Sequence, residues 1–418
     1  MRALSPGATA VLVGAVVVTV LVASCGNTRQ ASPGAGTTTA TKPVTTVAHA
    51  TSAPTTAPST TATTGGKPPG GPVPPGFDPV SFTAISASEY WLLGLAPCSN
   101  PVCTSIVRTT DGGAHFSGVP APTSVLDVGN GASGGINTLR FADALDGYAF
   151  DDNPGGAFWS THDGGAHWAQ PAFMPGHQLL GFGTGAGYAF ALVASCPSGN
   201  CSDVVLERSP VTADQWTALA VPVTGGTDEF ATMTVHGTDL WFSLTTSSDQ
   251  ANQLLVASTN SGASFVTYQS PCFAGLAGTI QASSANVLWA VCPTGMMAEA
   301  SRSTDGGAHW EALSALGQLE NSAFLAPASD MTAVIAPSSQ GQLLRTDNGG
   351  ATWRSVPASG NGNSWWAWIG FTDGNTGSAL KVQTSAPPAW PWPNGPSPEG
   401  LWRTSDGGTT WSGPVIIS

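Results

Sequence analysis

The feature that most constrains the fold is an eight-residue pattern that recurs along the second part of the chain. It reads Ser or Thr, any residue, Asp, any residue, Gly, two further residues, then Trp or Phe. Clear copies begin at Thr109, Thr161, Ser303 and Thr404. Two variants with Asn in place of Asp begin at Ser258 and Thr346, and a degenerate seventh copy, "SPVTADQW", begins at Ser209. Successive copies start 43 to 58 residues apart, so the chain is built from seven repeats.

The repeat length predicts the architecture. Residues 77–418 hold seven units of about 49 residues each, which is what four strands and their connections require. Within each unit, apolar or alternating runs are separated by turn residues, and helical periodicity is absent. Four-stranded sheets repeated around an axis form a β-propeller. We therefore predict an all-β fold, a seven-bladed propeller of four-stranded antiparallel blades over residues 77–418.

The repeated pattern itself has a structural explanation. "DGG" favours a tight turn, because Gly accepts positive φ and Asp bonds backbone N–H groups. The pattern resembles the Asp-box, or BNR repeat, of sialidases, sortilin, some glycoside hydrolases and photosystem-assembly-factor-like propellers. "LRFADALDGYAF" and "IGFTDGNTGSAL" also resemble the first two strands of such blades. The resemblance implies that the boxes join third and fourth strands, away from the usual ligand face. It assigns a structural role to Asp111, Asp163, Asn260, Asp305, Asn348 and Asp406.

The N-terminal part predicts export and a tether. An apolar run over 10–23 ends in "LVASC", which resembles a lipobox and marks residues 1–24 as a lipoprotein signal peptide with Cys25 as the lipid attachment site. Residues 25–76 are rich in Thr, Pro and Ala and predict a disordered linker. We expect a protein anchored to the outer face of the bacterial cytoplasmic membrane.

Charge and cysteine content narrow the partners. All 25 acidic residues lie in 77–418 against eight basic ones, so nucleic acid is not an expected partner. No histidine spacing indicates a metal, and we expect no cofactor and a monomer. The six cysteines after Cys25 predict three disulfides in an exported protein. Spacing favours Cys98–Cys103, Cys196–Cys201 and Cys272–Cys292, the last as a cross-strand link on a hairpin.

No catalytic set emerges from the sequence. A sialidase-like site needs three arginines to hold a carboxylate, but five of the seven propeller arginines directly precede a box, leaving Arg140 and Arg354. A hydrolase with two axial carboxylates would draw on residues at the ends of first strands, namely Asp143, Asp146, Asp330 and Asp373. Asp is common in such turns, and we favour that interpretation.

The last repeat departs from the others. Its box follows 58 residues after its predecessor, and the excess is "TSAPPAWPWPNGPSPEG" over 384–400. This insertion lies between the second and third strands, so it is expected to open on the face opposite the boxes. Trp390, Trp392 and Trp365 are the candidate ligand-binding residues. Alternatively, these rings cover the seam between blades 7 and 1. Trp366 and Trp368 are expected to alternate with Trp365 and to point into the blade.

These observations support three hypotheses. The first is a surface-tethered, non-catalytic propeller that binds a protein or glycan through the face opposite the boxes. The second is a glycoside hydrolase that uses axial carboxylates. The third is an assembly or quality-control factor for envelope complexes. Fold resemblance alone does not separate them, because one fold serves many functions.

Overall fold

The computed structural model describes residues 70–99, 102–127, 134–151, 155–172, 176–196, 201–223, 231–244, 253–272, 278–294, 297–313, 323–337, 341–357, 364–383 and 398–418. These residues form seven antiparallel sheets and no helix. Accordingly, no helix that could span a membrane is found among them. The predicted signal peptide, Cys25 and nearly all of the linker lie outside the described residues.

The strands follow one another blade by blade. Blades 1 and 2 comprise β1 (Asp78–Ala84), β2 (Tyr90–Pro97), β3 (Val102–Thr109), β4 (Ser117–Val119), then β5 (Thr138–Phe141), β6 (Gly147–Phe150) and β7 (Phe158–Thr161). Blades 3 and 4 comprise β8 (Gln178–Gly185), β9 (Tyr188–Ser195), β10 (Ser202–Pro210), β11 (Thr217–Leu219), then β12 (Ala231–His236), β13 (Asp239–Leu244), β14 (Leu254–Ser258) and β15 (Val266–Gln269). Blades 5, 6 and 7 comprise β16 (Thr279–Ala282), β17 (Leu288–Pro293), β18 (Ala298–Ser303), β19 (Glu311–Ala312), then β20 (Ala323–Pro327), β21 (Ala333–Pro337), β22 (Leu343–Thr346), β23 (Arg354–Val356), then β24 (Ser364–Phe371), β25 (Gly377–Gln383) and β26 (Pro398–Thr404).

The predicted seven-bladed propeller is confirmed. Each sheet is a meander in which strands pair in chain order. Blades 2 and 7 have three full strands, and their fourth positions are reduced to the single bridges Ser160–Ala169 and Arg403–Ser412. The outermost strand has only one neighbouring strand in its blade, so shortening it removes few ladder hydrogen bonds.

Packing between blades explains the sequence pattern of the strands. Second strands are buried along almost their whole length, as in β6 and β13, because each is covered by sheets on both sides. Continuous apolar runs are typical of strands buried on both faces. The first strands, around the axis, are also joined by side chains: Ser81 Oγ accepts from Leu139 N, and Thr83 Oγ1 accepts from Phe141 N, each at 3.1 Å.

The ring closes without strand exchange among the described residues. Blade 1 and blade 7 each use one continuous stretch of chain, and their seam is an apolar cluster of buried residues: Phe82, Tyr90, Leu92, Val107, Leu380 and Leu401. Val73 and Phe77 pack on it from before the first strand, and Val415 and Ile417 pack on it from after the last strand. Both ends of the propeller domain thus contribute apolar area to the one interface that the backbone does not cross.

All three expected disulfides are present. Cys98–Cys103 and Cys196–Cys201 close short loops between second and third strands. Cys272–Cys292 has the predicted pairing but is not a cross-strand link on a hairpin. Val291 pairs with Thr279 at the start of β16, whereas Cys272 lies in the chain that leaves blade 4. This disulfide therefore ties the connection between blades 4 and 5 to the second strand of blade 5.

Candidate functional site

The box turns are held by a repeated set of local hydrogen bonds. In the copy that begins at Ser303, the serine hydroxyl donates to Asp305 Oδ1 at 2.9 Å and accepts from Gly307 N at 2.9 Å. His309 donates its backbone N–H to Asp305 Oδ1, and its Nδ1 lies 2.6 Å from Asp305 Oδ2. These bonds, chiefly that of the His309 side chain, lower the pKa of Asp305 to about 2. The aspartate is thus committed to shaping the turn.

The third and seventh positions of the box are matched to each other. Three of the Asp boxes place a histidine opposite the carboxylate, and the fourth places Thr410 opposite Asp406. In the Asn boxes, the amide of Asn260 or Asn348 donates to Ser264 or Thr352, each at 2.8 Å. An amide has a donor that a carboxylate lacks, so a hydroxyl acceptor suits it. This match explains the residue at the seventh box position, which the sequence pattern left unspecified.

The boxes share one face of the propeller with the turns that join first and second strands. Gly112 N donates to Ser88 O at 2.8 Å, and Gly306 N donates to Asn286 O at 2.8 Å. We call this the box face and the opposite side the loop face. Every internal gap in the described residues lies in a loop-face connection, so the box face is described around the whole ring.

The arginines that precede the boxes link neighbouring blades. Four of them donate to a backbone carbonyl of the next blade: Arg208 to Ser261, Arg302 to Asp330, Arg345 to Gly407 and Arg403 to Ala87. Arg108 instead forms an ion pair with Glu89 and lies over the Trp91 ring at 5.0 Å. Four of the five arginines that precede boxes therefore link neighbouring blades, and Arg108 bonds within its own blade.

The four proposed axial carboxylates lie in box-face turns. Asp143 Oδ1 accepts from the backbone of Leu145 and Asp146, and Asp373 Oδ1 accepts from Asn375 and Thr376. Asp330 accepts from the Ser283 hydroxyl at 2.8 Å. Asp146 contacts His162. Each carboxylate therefore has a local partner in or beside its turn, which is the interpretation that the sequence favoured.

A cavity of about 210 Å³ lies at the box-face end of the axis. It is lined by the ends of first strands from five blades: Phe82, Thr83, Ala84, Arg140, Gln281, Ala282, Leu325, Ala326, Pro327, Trp368, Ile369, Gly370, Phe371 and Thr372. No residue from blades 3 or 4 lines it. There the inner strands pack together, since a Cβ at Gly183 would lie 2.6 Å from Val235 Cγ2.

Trp368 reaches this cavity because of a bulge in β24. The register against β25 shifts between Trp366 and Trp368, so the two rings serve different interfaces. Trp366 is buried with Trp402 and Trp411 in the core towards blade 6. Trp368 packs on Phe82 of blade 1, with ring centroids 5.1 Å apart. Both indoles point into the packing of blade 7, and the bulge places them at different interfaces by turning Trp368 towards blade 1.

The predicted ligand residues lie at the loop face or outside the described residues. Trp390 and Trp392 fall in 384–397, outside them. Trp365 pairs with Val382, which pairs in turn with Pro398, where the chain returns from the insertion. The backbone of Trp365 is thus placed at the root of the insertion. The assignment of these residues to a ligand stays a prediction.

A partly buried ionic cluster lies beside the degenerate box of blade 3. The degenerate copy has Val211 at the Asp position, but Asp214 accepts from Ser160 Oγ at 2.7 Å and lies 3.4 Å from His162 Nε2. His162 Nδ1 lies 2.7 Å from Asp146 Oδ1. Bonds to Asp146 first, then to Asp214, raise the pKa of His162 to about 9. A charged histidine therefore joins blades 2 and 3.

This cluster predicts a pH dependence of stability. The folded pKa of His162 is raised from its ordinary 6.5, so its contribution is complete below about pH 6.5 and is lost as pH rises through about 9. We expect the free energy of unfolding to fall by about 1.5–3 kcal/mol between pH 6 and 10, the range for charged hydrogen bonds. Urea unfolding of the wild type and of His162→Gln measures it.

The His162→Gln variant should show a flatter profile over the same interval. Asp143, Asp146, Asp214 and Tyr148 are the titratable groups around the histidine. Titration of these four groups alone would lower the free energy of unfolding in both proteins, so it does not explain a loss seen only when His162 is present. Parallel pH profiles for the two proteins would refute the role of His162.

Comparison with known proteins supports the propeller fold and identifies no family for this chain. The chain matches no protein-family model and no curated protein sequence. It is similar in structure to "YCF48 bound to D1 peptide" (TM-score 0.51, 17% identity, covering 80% of this chain and 95% of that one). It is also similar to virginiamycin B lyase from Staphylococcus aureus (0.51, 14%, 73% and 92%). A puromycin-hydrolysing peptidase from Mycobacterium tuberculosis matches over 83% of this chain but 55% of its own (0.54, 11%).

The sequence thus predicted the propeller scaffold, and it did not predict the axial cavity. Membership of the Asp-box family stays a prediction, although the turns have the hydrogen bonds that such a box requires. Arg140, Gln281 and Trp368 were not predicted as site residues. The one available signal was that Arg140 does not precede a box, unlike five of the other six propeller arginines.

Proposed function

We propose that this protein is an exported, lipid-anchored, non-catalytic β-propeller that binds an extended segment of another protein at its loop face. The observation that carries the proposal is the position of the blade 7 insertion. The flanking strands β25 and β26 are paired as far as Val382 and Pro398, so the described chain stops and resumes at the loop face on either side of the Pro- and Trp-rich sequence 384–397. Rigid aromatic and proline residues supply contact area to a peptide at a small entropic cost.

The absence of a ready catalytic pair supports binding over hydrolysis. Asp143, Asp330 and Asp373 accept local hydrogen bonds, and no described residue lining the axial cavity carries a carboxylate. A glycosidase needs two carboxyl groups facing one substrate bond. The described residues hold no such pair at the axis.

Peptide binding is also compatible with the fold. YCF48, a propeller of similar structure, is bound to a peptide of D1. The likeness in sequence is low, so it extends to the fold alone and leaves the ligand of this chain open. Assembly or quality control of envelope complexes is one task that such a binding propeller would serve.

The experiment compares Trp390→Ala/Trp392→Ala with the wild-type full chain. A peptide array covering envelope proteins identifies bound segments, and calorimetry measures each Kd. We expect the double variant to weaken binding by ~30-fold or more, since buried aromatic anchors carry most of the energy of such interfaces. Trp168→Ala, which removes an indole from a box turn, is the matched control and should leave Kd unchanged.

Three outcomes would contradict the proposal. Peptide binding that survives the double variant removes the loop-face site. Binding on a glycan array, lost in the same variant, replaces the protein ligand with a sugar. Hydrolysis of a polysaccharide panel that is lost in Asp143→Asn or Asp373→Asn establishes the hydrolase alternative.

A further inference from the structure

The axial cavity contains a cation that has no partner among the described residues. Arg140 lies third in β5, and its side chain is accessible to solvent although the inner strands surround it. This enclosure lowers the pKa of its guanidinium, which nevertheless stays charged, because arginine is not deprotonated in proteins. Arg140 forms no hydrogen bond, ion pair or ring contact with another described residue.

This isolation is exceptional within the propeller. The other arginines each bond to a carboxylate or a backbone carbonyl: Arg108, Arg208, Arg302, Arg345, Arg354 and Arg403. Acidic residues outnumber basic ones by 25 to eight in residues 77–418, so potential partners are plentiful. Among the arginines of the described residues, only Arg140 inside the cavity has no such partner. A cation inside a cavity without a protein counterion is free to pair with an anion, and charges in a partly enclosed site are screened less than charges on the open surface.

The other lining residues fit a small ligand with one anionic end. The cavity of about 210 Å³ corresponds to roughly seven water volumes of ~30 Å³, which admits a small acid or a single terminal residue. Gln281 contributes an amide, and Phe82 and Trp368 form an aromatic wall. A guanidinium binds a carboxylate through two parallel hydrogen bonds, and the aromatic wall suits the apolar remainder of the ligand.

We propose that this cavity is a carboxylate-binding site in which Arg140 holds the anionic group of a small organic acid or of a peptide C-terminus. The site opens at the box-face end of the axis, away from the blade 7 insertion. It is therefore independent of the proposed peptide site at the loop face, and either can fail without the other.

The test uses the full chain at pH 7 with 4-fluorobenzoate and its neutral isostere 4-fluorobenzamide as probes, observed by fluorine NMR. We expect the acid to bind at least ~10-fold more tightly than the amide, because only the acid forms charged bonds to the guanidinium. Arg140→Met should remove this preference, and Arg140→Lys should reduce it, since an ammonium lacks the planar fork. Arg354→Gln, which removes one exposed arginine elsewhere, is the matched control and should bind as the wild type.

A second pair of probes identifies the source of the carboxylate. The tripeptide acetyl-Gly-Gly-Phe is compared as free acid and as amide; preference for its acid form indicates a peptide terminus, and preference confined to fluorobenzoate indicates a free small acid. Both results support the site. Equal binding of acid and amide by the wild type, or no binding of any acid at 10 mM, roughly the weakest useful affinity, overturns it.

A Tm measurement shows whether Arg140→Met is folded and therefore whether its binding data can be interpreted. Because Arg140 has no partner to lose among the described residues, Arg140→Met should have a Tm equal to or above that of the wild type. If Arg140→Met instead unfolds, the acid-to-amide ratio of the wild type and of Arg140→Lys still decides the proposal. A preference for the acid that persists unchanged in a folded Arg140→Met contradicts it.

Discussion

Replacing both Cys272 and Cys292 with Ala should lower the free energy of unfolding by about 3 kcal/mol. The bond closes a loop with a sequence separation of 20 residues, and loss of that constraint frees the unfolded chain. Both cysteines are buried in the cluster between blades 4 and 5, where they contact Trp241, Leu255 and Ile280 among others. Removal of two sulfur atoms adds a packing loss to the entropic one.

The short disulfide Cys98–Cys103 provides the matched control. Its sequence separation is five residues, so the same chain-entropy argument gives about 2 kcal/mol, and Cys103 is exposed. Thermal and urea unfolding under non-reducing conditions measure both double variants. A larger loss for Cys98→Ala/Cys103→Ala than for Cys272→Ala/Cys292→Ala would contradict the assigned role of the buried disulfide.

The scaffold was predictable because its determinants are local. A box turn is specified by residues within eight positions, and the bonds of Ser303, Asp305 and His309 lie within that span. The same locality gave the blade count, since each copy marks the end of one third strand. The pairing of three disulfides also followed from spacing, although the geometry of Cys272 did not, because it depends on how the chain passes between blades.

The cavity was not predictable because its determinants are non-local. Arg140 and Gln281 lie far apart in the sequence and meet only after the ring has closed. The orientation of Trp368 depends on a bulge that strand periodicity does not reveal. Four other arginines bond to a carbonyl on the next blade, as Arg208 does to Ser261 O. The absence of such a partner for Arg140 among the described residues becomes visible only in the folded ring.

Arg403→Ala should lower the free energy of unfolding by about 2–3 kcal/mol, and the effect should be concentrated at the seam between blades 7 and 1. The guanidinium lies over the Tyr90 ring of blade 1 at 4.5 Å and donates to Ala87 O at 3.1 Å. A desolvated cation–π contact contributes about 2 kcal/mol, and the hydrogen bond adds about 1 kcal/mol. Tyr90 is fully buried at this seam, so its ring would lose a packing partner as well.

Arg208→Ala is the control, because it removes an arginine from an interface that the backbone crosses instead of from the seam that closes the ring. Arg208 lies over Tyr188 of its own blade at 4.6 Å and donates to Ser261 O of blade 4 at 2.6 Å, so only its hydrogen bond crosses between blades 3 and 4. Those blades are also joined by the backbone, whereas blades 7 and 1 meet through side chains and the chain ends. Hydrogen exchange should therefore accelerate in β1, β2, β25 and β26 of Arg403→Ala and leave the rest of its ring protected. In Arg208→Ala the backbone connection limits separation of the blades, so a similar loss of free energy should appear without local opening. Equal and uniform exchange in the two variants would show that the seam is no weaker than any other interface.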